Sequence, residues 1–148
     1  MAGTLAVALP GGVASAKKPK PVTGTCNTLT GDATSQTLQN CTDTTDTGGS
    51  GTSTTTNENI SGNSVNGTDS VTWNSGLNST ESFAGKLLAG KKDKCSAPAG
   101  YTNVYEVKEK GKVTGGTATD LVGGKTKTTA CVFSGGSGIL VTGSSFTF

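Results

Sequence analysis

Apolar and polar side chains alternate in short runs through most of this chain, most clearly towards its C-terminus. Tyr101 to Lys110, Lys112 to Leu121, Lys125 to Phe133 and Ile139 to Phe148 each interleave Val, Tyr, Phe or Leu with polar residues. Gly111, Gly123-Gly124 and the segment Ser134 to Gly138 separate them as turns, which predicts four strands of a meander. Ser70-Val71-Thr72-Trp73 alternates too, meets the turn residues Asn74-Ser75-Gly76-Leu77, and returns along Asn78 to Leu88. This predicts a hairpin with the only Trp near its end. A turn centred on Ser75-Gly76 sets Glu81 opposite Ser70 and leaves Asp69 on the other face.

Residues 22–42 predict a second hairpin. One antiparallel register places Cys26 opposite Cys41 and Leu29 opposite Leu38 at once, centred between Ala33 and Thr34. The Gly31-Asp32 turn signal lies off that centre, so the loop has four residues or a bulge. Residues 43–69 carry the weakest pattern. Asp43 to Gly51 has loop composition, and Thr52 to Thr56 reads as an edge strand. Ala89 to Gly100 reads as a basic loop. No long helical period and no internal repeat is visible.

Composition narrows the class. Only 31% of the 148 residues are apolar and 5% aromatic, so the core is thin. Thr and Gly dominate, and both belong to strands and turns. The expectation is an all-β domain over residues 23–148: an antiparallel β-sandwich or barrel of short strands. Covalent links would supplement its core. Cys26–Cys41 follows from the shared register, and Cys95–Cys131 follows by exclusion. Net charge is +2 and every basic residue is Lys. Without Arg, the fork that reads base edges is missing, so a nucleic-acid partner is not expected.

The N-terminus points to export. Leu5 to Leu9 is apolar, Pro10-Gly11-Gly12 breaks a helix, and Ala14-Ser15-Ala16 matches a signal-peptidase site. Residues 1–16 read as a signal-peptide remnant, with cleavage leaving Lys17 first and residues 17–22 as a flexible basic, Pro-rich tail. No stretch is long and apolar enough for a transmembrane helix. The even cysteine count suits an oxidising compartment, so the expected location is secreted, extracellular or envelope-associated.

The chain also resembles a group of small secreted actinobacterial proteins with no assigned activity. The matching residues are Cys26-x-x-Leu29-x-Gly31 through Leu38-x-x-Cys41, Thr72 to Gly76, and Gly111 to Ala118. Gly123-Gly124-Lys125, Cys131-Val132 and Phe146-Thr147-Phe148 complete them. The resemblance implies an exported β domain and carries over no ligand or functional residue.

The residues restrict the chemistry. There is no His, which removes the usual general base and commonest metal ligand. The cysteine gaps are long and unequal, unlike a zinc ribbon. Asp43 and Asp46 fit no calcium-loop spacing. No catalytic residue, metal or cofactor is therefore expected. Asp69, Glu81, Glu106, Glu109 and Asp120 are the carboxylates that could run glycosidase chemistry, but the register above forces no pair together. Trp73, Tyr101 and Tyr105 are candidate ligand contacts, with a place in the core as the plainer reading. Lys108, Lys110, Lys125 and Lys127 share faces and are candidates for an anionic envelope polymer or glycan. Guarding an exposed strand edge is their plainer reading. The closing Phe146-Thr147-Phe148 alternates like the end of a membrane barrel, but no apolar band with aromatic girdles accompanies it. The expected function is a non-catalytic envelope or extracellular binding or structural module. The alternatives are a carboxylate-based glycan-active enzyme and an inhibitor presenting residues 43–58 or 89–99 as a loop.

Overall fold

The computed structural model describes residues 18–43, 45–90 and 93–148. Eight strands run in chain order: β1 (Thr25–Gly31), β2 (Ser35–Cys41), β3 (Ser50–Ser61), β4 (Ser64–Trp73), β5 (Asn78–Leu88), β6 (Tyr101–Gly116), β7 (Lys125–Gly135) and β8 (Gly138–Thr147). Each pairs antiparallel with the next, and β8 returns to β1 to close a barrel. Of the two expected architectures, the chain adopts the barrel. The expected signal remnant, residues 1–16, lies outside the described residues, as do Lys17, Lys91 and Lys92. The end of the expected tail is tied down: the Val22 N–H donates to the Asp120 carbonyl.

The first hairpin has the predicted register, with Cys26 opposite Cys41 and Leu29 opposite Leu38. Its four-residue loop is held by Asp32, whose carboxylate accepts from the Thr34 and Ser35 N–H groups. Both predicted disulfides are present, and no described cysteine is free.

Three expectations are corrected. Residues 50–69 are not loop and edge: β3 is a twelve-residue strand paired on both sides. Its inward residues are Gly51, Ser53 and Thr55, so small and polar side chains replace the usual apolar alternation. Gly111 is not a turn. β6 continues through it for sixteen residues, because a Cβ there would meet the Glu81 Oε1, the Thr126 Oγ1 and the Ser82 carbonyl. The β4–β5 turn is one residue longer than expected. Gly76 takes φ +87° and the Trp73 carbonyl accepts from its N–H. This closes a three-residue loop. Asp69 therefore lies opposite Glu81, and Ser70 opposite Thr80. A one-residue slip flips a strand's faces relative to its partner, so the two carboxylates share the inward face.

One end of the barrel is plugged. Trp73, Phe146, Phe148, Val113, Leu121 and the Cys26–Cys41 disulfide belong to the buried core. The Trp73 and Phe148 rings lie 5.5 Å apart, and the Trp73 indole N–H donates to Ser79 Oγ. At the other end the β5–β6 connection is drawn onto the outer wall. Cys95 bonds Cys131, the Lys94 N–H donates to Glu106, and the Asn103 side chain donates to the Cys95 carbonyl. Most outward positions carry Thr, Ser, Asn and Lys and most apolar side chains lie inside, Phe133 and Leu140 on the outward rows of β7 and β8 being exceptions. That is the inverse of a barrel facing lipid.

Candidate functional site

The barrel interior holds a cavity of about 90 Å³, and its lining is divided. Leu29 and Leu38 from β1 and β2, Ala130 and Val132 from β7, and Val141 and Phe146 from β8 form an apolar wall. The facing strands β3 to β6 contribute Glu58, Asp69, Tyr105 and Glu109, together with Val65, Phe83, Leu87 and Val107. Strand pleating explains the arrangement. Asp69 faces Thr55 across one ladder and Glu81 across the other, while Glu109 faces Thr128 and Gly85. Glu58 stands on the same face beyond a bulge between Thr55 and Asn57, exposed near the mouth. The inward rows continue past the rim as Ile60, opposite Val65, and Ile139, opposite Ser134; both are exposed.

Low solvent access sets the charge state of this cluster. Burial is the main cause that pushes Glu109 up to about 8, and the charges of Asp69, Glu81 and Glu58 add to it. Burial likewise pushes Glu81 up to about 7; the Thr126 hydroxyl, which donates to its Oε1, opposes the rise and Asp69 reinforces it. Asp69 is raised by burial, against the Thr55 hydroxyl and with Glu58. Tyr105, half-buried beside them, is raised by burial and by Glu58 and Glu109. Glu81 is 4% exposed, and its Oε2 and the Asp69 Oδ1 are buried without a hydrogen-bond partner. Buried acceptors that lack donors carry a desolvation cost of about 1–3 kcal/mol each, which a bound donor would relieve. Among the described residues, no group of three His, Cys, Asp or Glu is placed to hold a metal ion.

The other sequence candidates are dispersed. Trp73 is 2% exposed in the plug and unavailable for stacking. Tyr105 lines the cavity, and Tyr101 begins β6 at the far rim. Glu106 lies on the outer face, buried, and pairs with Lys108 at 3.0 Å. Asp120 sits in a 3-10 turn at the plugged end. Asp46 is buried near that end and raised, first by burial and then by Asp120 and Asp43. Lys108, Lys110, Lys125 and Lys127 are exposed on the outer wall of β6 and β7. Edge protection does not account for them, because a closed barrel has no edge strand. Of the loops considered for inhibition, residues 50–58 are strand, and the described part of 89–99 is pinned to the wall.

Sequence reading named Asp69, Glu81 and Glu109 but not their convergence. The signal that could have found it was Gly76, whose left-handed preference favours the longer turn. No protein-family model matches the chain, and no curated protein or solved structure matches it either.

Proposed function

We propose that this protein is an exported, non-catalytic binding module whose site is the barrel interior and whose ligand is a small organic cation. The ligand is an amine carried on a short apolar chain. One observation carries this reading: carboxyl groups gather on β3 to β6 while an apolar wall faces them from β7, β8, β1 and β2. An ammonium group is a donor without acceptor capacity, so it suits Asp69, which lines the cavity and whose Oδ1 lacks a donor; Glu81, opposite Asp69 on β5, lies outside the lining with an Oε2 that lacks a donor too. The hydrocarbon part would pack against Leu29, Val132 and Val141, with any longer tail leaving past Ile60 and Ile139. Size limits the ligand. The cavity of about 90 Å³ is smaller than the engineered cavity of about 150 Å³ that holds benzene. A pyranose ring between these carboxylates has less room than a linear amine, which weighs against glycan cleavage. The two disulfides support work in an oxidising compartment outside the cytoplasm.

Calorimetry with hexylamine at pH 7.5, in buffers of different ionisation enthalpy, tests the proposal. A cation favours ionised carboxylates, so binding should release protons from Glu109 and Glu81. Affinity should then weaken below pH 7, approaching tenfold per pH unit for each proton released. Glu109→Gln should lose most of that release. Equal binding of hexanol or hexanoate, or binding without proton release, would overturn the reading.

A further inference from the structure

The outer wall of β5, β6 and β7 carries Lys86, Lys108, Lys110, Lys112, Lys125 and Lys127. That is half of the chain's twelve basic residues on three adjacent strands. All six are exposed. The ladders set them side by side: Lys86 opposite Lys108, Lys110 opposite Lys127, and Lys112 opposite Lys125. Like charges directly opposite each other destabilise a sheet. Glu106 is the only carboxylate among the outward positions of these strands, and of the six lysines it pairs with Lys108 alone. Ser82, Ala84 and Thr129 fill the remaining cross-strand positions and stand no higher than the lysines. The result is an open cationic face with a charge about every 7 Å along a strand and about 5 Å across.

From this face we infer that the protein binds a linear polymer of closely spaced phosphodiester charges. This site is independent of the cavity and lies on the other side of the same wall. Charge complementarity selects the occupant. Closure of the barrel removes edge protection as a reason for the lysines, and of three like-charged pairs that work against stability only Lys86–Lys108 has a carboxylate beside it. Lys offers point charges rather than the bidentate fork of Arg, which suits a repeating phosphate chain more than a single planar anion. Trp73 is buried, Tyr105 lines the interior and Tyr101 stands at the start of β6, away from the lysines, so no aromatic ring lies among them on which a base could stack. A phosphodiester polymer without bases therefore loses nothing here relative to single-stranded nucleic acid.

The test is titration of the full chain with poly(glycerol phosphate), with single-stranded DNA of equal charge in a parallel arm. Binding at 30 mM salt should weaken on the order of a hundredfold by 300 mM, as several phosphate contacts are screened together. Exchanging Lys108, Lys110, Lys125 and Lys127 together for Gln should abolish binding, while the fourfold Lys→Arg variant should keep it. The melting temperature of the Gln variant should stay close to that of the parent, because the loss of like-charged neighbours offsets the loss of the Lys108 partner of Glu106. Absence of binding by the parent at 30 mM salt overturns the inference, as does unchanged binding by the Gln variant. Tighter binding to DNA than to the base-free polymer overturns it as well. Hexylamine binding is read separately, so failure of either site leaves the other standing.

Discussion

Glu109 makes the stability of this barrel depend on pH in an unusual direction. In the unfolded chain its carboxyl ionises near 4.5; in the barrel it holds its proton up to about 8. Below pH 4.5 both states are protonated and the folded state bears no penalty. As pH rises through the window from 4.5 to 8, the unfolded state ionises first and gains stability relative to the barrel. At about 1.4 kcal/mol per pH unit, the barrel loses about 3 kcal/mol between pH 5 and pH 8 from this residue alone. Glu81, raised to about 7, adds a loss of the same sign over a narrower window. The surroundings reinforce it, since Glu58, Asp69 and Tyr105 face the same space and none supplies a positive charge. Nothing obvious competes: the chain has no His, and its cysteines are paired. Urea unfolding at pH 5, 6, 7 and 8 should show stability falling throughout. Glu109→Gln should be more stable than the parent at pH 8 by about 3 kcal/mol, or about 10 °C in Tm, and nearly equal to it at pH 5. A parent whose stability is flat or rises over this range would refute the reasoning. So would a Gln variant that follows the parent curve.

Three further outcomes follow from other contacts. Gly111→Ala should destabilise by about 1–3 kcal/mol in denaturant unfolding, because the new Cβ meets a backbone carbonyl of Ser82 that cannot swing away. Thr126→Val removes the hydroxyl that donates to Glu81, so the Glu81 carboxyl should titrate at higher pH, as read by carbon NMR. Removing Cys95 and Cys131 together should cost about 4 kcal/mol on the loop-entropy account. It should also open the 89–100 connection to protease, since hydrogen bonds such as those to Glu106, Asn103 and the Tyr101 N–H would then be left to hold its described part.

The strands richest in Val, Tyr and Phe were legible because inside and outside differ in polarity there. β7 shows this: Thr126, Thr128, Ala130 and Val132 are buried, while Lys125 and Lys127 are exposed. β3 was illegible for the opposite reason. Its inward residues are Gly51, Ser53 and Thr55 and its outward ones are Thr52, Thr54 and Thr56, so no contrast marks its faces. The first hairpin could be registered because two pairs agreed on one centre. The second had no such pair, and its register turned on whether Gly76 ended a two-residue or a three-residue loop. That single residue decided whether Asp69 and Glu81 were strangers or neighbours. Gly111 misled for a related reason: a glycine that makes room for a neighbour's carboxylate looks, in sequence, like a glycine that turns the chain.

The closure of β8 onto β1 has a consequence for how the molecule forms. Every other ladder joins strands that are consecutive in the chain, so each can zip as a local hairpin. The last must bring together the two ends of the domain, the kind of non-local pairing that slows folding. Neither disulfide crosses this seam: one ties β1 to β2, and the other ties the β5–β6 connection to β7. Until the seam closes, β1 and β8 are open edges, and threonines face each other along it, Thr25 with Thr147 and Thr30 with Thr142. They carry no charge to repel a second chain, and the nearest of the wall lysines, Lys125 and Lys127, lie one strand away on β7. The same edge that completes one molecule can therefore accept the matching strand of another. Refolding at high concentration should give strand-swapped dimers joined at this seam, and dilution should favour the closed monomer.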